Sequence, residues 1–74
     1  MEKEEWFRKI TEAMNTVAIL KDMESRYQLS LLILECNEIF HLSPEKIQKT
    51  REDFDLNSGI WILAELELQK RKGN

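Results

Sequence analysis

His41-Leu42-Ser43-Pro44-Glu45 is the stretch on which the architecture turns. Serine before proline, with an acid next to it, is helix-start chemistry. The hydroxyl accepts from a free N–H, proline fills the first helical position without wasting a donor, and the carboxylate faces the positive end of the helix dipole. Proline also disfavours helix in the residue before it, so a preceding helix ends near His41. The chain therefore divides here into two helical halves.

Upstream, Tyr27 to Leu42 is more apolar than a surface helix requires. At about 100° per residue, Leu29, Leu32, Ile33, Cys36, Ile39 and Phe40 form one broad face. Tyr27, Leu31, Leu34 and Leu42 form a second, roughly opposite it. A strand over Leu29–Leu34 is disfavoured, because Ile33 is its only β-branched residue and leucine prefers helix. A helix with two apolar faces touches two neighbours, either both within the chain or one outside it. Further upstream, Trp6, Ile10, Ala13, Met14, Val17 and Leu20 keep to one face for four turns, behind the acidic start Glu2, Glu4 and Glu5.

Downstream of Pro44 the apolar residues are Ile47, Phe54, Leu56 and then Ile60 to Leu68. Asp55-Leu56-Asn57-Ser58-Gly59 is a cluster of weak helix formers. One helix from Pro44 to Lys72 with a soft spot is the favoured outcome, because four such residues cost only about 2–3 kcal/mol together. The competing outcome is two helices broken near Asn57. Lys70, Arg71 and Lys72 suit a helix C-terminus, with Gly73 just past it. The expectation is an all-α protein: an antiparallel helical hairpin, about 2–41 and 44–72, or a three- or four-helix bundle if those segments break.

The chain has 74 residues and a net charge of −3, with one cysteine, one histidine, two glycines and one proline. That allows one small domain (1–74), with no internal disulfide and no zinc site of ordinary ligand count. No cofactor or metal is expected. The longest apolar run, Leu31 to Leu34, is far short of the ~20 residues needed to cross a bilayer, so no membrane insertion is expected. The acidic N-terminus does not resemble a secretory leader, and a cytoplasmic location is the expectation.

Candidate catalytic residues fail for want of partners. His41 has no second histidine or nucleophile to place beside it, and reads as a partner of a helix dipole or a solvated residue. Cys36 lies on the broad apolar face, where a thiol behaves as a small hydrophobe. Glu52, Asp53 and Asp55 offer too few oxygens for a hard cation and read as a solvated face. Residues 44–68 can be drawn as a helix-turn-helix, but the second helix would lead with Ile60, Trp61, Ile62 and Leu63 rather than with groups that read bases or phosphates. The expectation is no enzyme and no nucleic acid.

What remains is apolar surface. Ile60, Trp61, Ala64 and Leu68 share one face of their segment, Ile62 and Leu66 another, with Leu63 between. A single helix over 44–72 would leave the start of the first helix uncovered, exposing Trp6, Phe7 and Ile10. Either the first helix breaks near Asp22–Gln28 and folds back, or another chain covers that surface. The second choice marks Trp6, Phe7, Ile10, Tyr27, Leu31, Leu34, Trp61, Ile62 and Leu66 as partner-binding, for a protein partner or a homodimer. The first makes them ordinary core.

Leu42-Ser43-Pro44-Glu45-Lys46-Ile47-Gln48, followed by Leu56-Asn57-Ser58-Gly59-Ile60-Trp61-Ile62-Leu63, resembles the second helix of the small E-type co-chaperones of bacterial type III secretion needle subunits. Ile47 stands where that family tends to have an aromatic residue. The resemblance implies a helical hairpin that binds a helical-repeat chaperone and helps keep a needle subunit unpolymerised in the cytoplasm. Asp55 to Ile60 with Ile62-Leu63 is also similar to the effector helix of MerR-like chaperone modulators, without their preceding winged helix-turn-helix. Two function classes follow: a non-enzymatic adaptor or co-chaperone, and a small phage- or bacterium-encoded regulator or inhibitor of an enzyme or transcription component.

Overall fold

A computed structural model describes residues 2–73. Four helices follow one another: α1 (Lys3–Leu20), α2 (Met23–Phe40), α3 (Pro44–Asp53) and α4 (Ser58–Lys72). The all-α expectation is met, in its four-helix form. The continuous helix from Pro44 to Lys72 is not formed.

Each break has a local cause. At the first, Lys21 turns left-handed (φ 53°) and its N–H closes on the Val17 carbonyl. Asp22 then caps α2: its carboxylate accepts from the Ser25 N–H at 2.8 Å while the Ser25 hydroxyl donates to the Asp22 carbonyl. At the second, His41 is left-handed (φ 53°), Asn37 Oδ1 accepts from the Leu42 N–H, and Ser43 and Pro44 open α3. At the third, Asp55 is left-handed (φ 55°) and Asn57 Oδ1 accepts from the Ile60 N–H at 3.0 Å to start α4. This last break wins over the small propensity cost of a continuous helix because it turns Leu56 into the core, where 1% of it stays exposed.

The break at Lys21–Asp22 folds α2 back antiparallel along α1. The core fills with Trp6, Ile10 and Val17 from α1, Leu29, Ile33 and Cys36 from α2, and Leu56 from the α3–α4 corner. α2 packs on α1 through this face and on α4 through the other. The two-faced reading of α2 therefore resolves inside the chain. α4 lies parallel to α2: Ile60 shares a groove with Met23 and Tyr27 near the start of both helices, and Arg71 and Lys72 pair with Glu35 and Glu38 near the end of both. α3 carries the chain back between them. Ala64, with no exposed surface, lets the α4 backbone approach α2 closely.

Candidate functional site

The nine residues singled out from sequence separate into three groups. Trp6, Ile10 and Leu31 are buried within the chain, so they are not available to a partner. The physical reason is the break at Lys21–Asp22, which lays α2 over α1, and the parallel return of α4, which covers Leu31. Tyr27, Leu34 and Trp61 are half-buried. Trp61 packs on the core beneath the Arg51 guanidinium, and Tyr27 lines the groove between α2 and α4. Phe7, Ile62 and Leu66 remain open to solvent.

Around α4 the side chains follow the expected faces. Ile60 and Ala64 point inward, while Ile62, Leu63 and Leu66 are each more than half exposed. Leu63 and Leu66, one turn apart, form one wall of a groove of about 460 Å³ whose other wall is Met23 and Tyr27, with Ile60 between them. Glu24, Glu67 and Lys70 complete its lining. Met23 and Leu63 were not among the expected contact residues. Met23 becomes visible as an open side chain only once Asp22 is recognised as a cap that begins a new helix. Leu20, placed on the apolar face of α1 from its spacing, is in fact exposed, as is Ile19 at 78%; the buried stripe of α1 ends at Val17.

The polar candidates are engaged in local structure. Glu52 accepts from Gln48, and Asp53 pairs with Lys49 one turn away. Asp55 supplies the left-handed residue of the corner. His41 does the same at the end of α2. Cys36 is buried, and burial pushes its thiol up, against the opposing pull of the Lys3 charge. Among the described residues no three His, Cys, Asp or Glu side chains come together as a metal-binding group. Among the described residues no helix is long and apolar enough to cross a membrane.

The site these observations leave is an apolar groove with an apolar lip, carrying no nucleophile–base pair among its lining residues. Comparison with protein families, with curated proteins and with solved structures gives no match to this chain.

Proposed function

We propose that this chain is a non-enzymatic helical adaptor that binds a partner protein through the face made by α4 and the start of α2. The observation that carries the proposal is the set Leu63, Leu66 and Met23, all more than half exposed and lining one groove, with Ile62 exposed on the same helix as Leu63 and Leu66 but outside that lining. Scattered apolar residues are ordinary on a protein surface, whereas a contiguous cluster lining a groove is the signature of a docking site. A second helix laid in such a groove would bury several of these side chains, at about 1.5–3 kcal/mol each.

The resemblance of residues 42–63 to needle-subunit co-chaperones suggests the class of partner: a helical-repeat chaperone, met in the cytoplasm. Affinity capture from the native host with the intact chain and with the Ile62→Glu/Leu66→Glu double variant tests the proposal. Loss of a specific partner in the double variant, with helicity kept, is the expected result. Retention of that partner, together with its loss on charge reversal at Glu52, Asp53 and Asp55, would overturn it in favour of an inhibitor acting through its acidic face.

A further inference from the structure

A second cavity, of about 430 Å³, opens between the start of α1, the end of α2 and α3, and it shares no lining residue with the α2–α4 groove. Its apolar lining includes Phe7, Phe40 and Ile47, and its polar lining includes Lys3, Lys46 and Thr50. Two features distinguish it. Among the described residues no carboxylate lines it, although acids outnumber bases by fourteen to eleven along the chain. Neither lysine enters an ion pair among the described residues, in contrast to Lys49, Arg71 and Lys72. The Lys3 ammonium instead sits 5.6 Å from the Phe7 ring centroid and 5.8 Å from that of Phe40. A cation is thus held over the aromatic wall of an apolar cavity, with a second cation contributed by another helix.

A lined hollow of this kind suits a tail rather than a helix, and the cations suit an anionic head. We infer that this cavity, whose volume of about 430 Å³ is within the range of small-molecule sites, binds a single carboxylate on an unbranched apolar tail of medium length. The tail lies against Phe7, Phe40 and Ile47, and the carboxylate meets Lys3 and Lys46. This site is independent of the adaptor reading, because it uses other residues and another ligand chemistry.

Titration of the full chain with decanoate, decanol and acetate, followed by calorimetry and by methyl and aromatic NMR shifts, tests the inference. Decanoate should saturate at one per chain below the concentration at which it self-associates. Its shifts should centre on Phe7, Phe40 and Ile47. Decanol should bind about tenfold more weakly, and acetate should not bind. Lys46→Glu, an exposed change on α3, should weaken decanoate about tenfold without altering the melting temperature, and Lys3→Gln should also weaken it. Equal affinity for decanol and decanoate, indifference to both lysine changes, or absence of saturation would overturn the inference. So would shifts centred on Leu63 and Leu66, which would place the tail in the other groove.

Discussion

The Arg51 guanidinium lies 4.6 Å from the centroid of the Trp61 ring while its Nε donates to the Leu56 carbonyl at 3.2 Å. One side chain thereby ties the end of α3, the corner and the first turn of α4. A planar, delocalised cation can stack and donate at once, whereas an ammonium cannot reproduce both. Arg51→Ala should cost about 1–2 kcal/mol in urea unfolding, and Arg51→Lys should recover less than half of it. Full recovery by lysine would show that charge alone matters at this corner.

Two apolar residues expected to behave alike should separate sharply. Leu31 keeps 2% of its surface exposed and Ile62 keeps 53%. Leu31→Lys must bury a charge or displace α4, and should destabilise the chain by more than about 3 kcal/mol. Ile62→Glu should change stability by less than about 1 kcal/mol. Thermal melts followed by circular dichroism distinguish them; equal losses would mean that the outer face of α4 is core.

Among the described residues three non-glycine residues hold positive φ: Lys21, His41 and Asp55. A left-handed residue with a Cβ costs roughly 1–2 kcal/mol, partly offset in a glycine variant by the greater entropy of its unfolded chain. Lys21→Gly and Asp55→Gly should each stabilise the fold by about 0.5–1 kcal/mol. A higher denaturation midpoint at unchanged slope is the expected reading.

The Asp22 carboxyl is held below its ordinary 3.8 by hydrogen bonds from Ser25. A depressed folded pKa means that the unfolded chain binds the proton more readily. The cap's ionised contribution is therefore present above the unfolded value and is lost as pH falls through the folded one. Asp22→Asn keeps an acceptor without titrating, so its stability curve should be flatter than that of the parent below about pH 4. Identical acid limbs for the two proteins would show that the cap bond does not depend on charge.

Cys36 should resist thiol reagents in the native state, because its side chain is fully enclosed and burial raises its pKa. Labelling with a disulfide reagent should proceed at the rate of opening and become fast only in denaturant. Rapid native labelling would contradict the packing of α2 on α1.

Much of this fold can be read from residue chemistry. Ser43-Pro44 marks a helix start that the structure keeps, and the two faces of α2 find two neighbours. Helix propensity undervalues the corner at Asp55–Asn57 because it is a local quantity that contains no tertiary packing. The burial of Leu56 and the stacking of Arg51 on Trp61 are tertiary gains that no local scale contains. The polarity of α4 was not legible either. Periodicity assigns faces but not direction, and what sets the direction is a length. α2 runs ~27 Å over 18 residues, and the ~15 Å of the 10-residue α3 plus its corner return the chain to the beginning of α2. Of the candidate site, Ile62 and Leu66 were legible as an outer face, whereas Met23 and Leu63 required knowledge of which helix lies beside which.

The parallel placement of α4 sets an order of assembly. α1 and α2 meet across the two-residue link Lys21–Asp22, so their pairing is local and fast. α4 reaches α2 only after a detour, and Arg71 and Glu35 are 36 positions apart. The hairpin can therefore close before α4 docks on it. Until α4 docks, the flank of α2 around Leu31 is bare, and a nascent or partly opened chain presents there an adhesive surface that the finished one conceals. In native-state hydrogen exchange, α4 should accordingly give up its amide protons before α1 and α2 do.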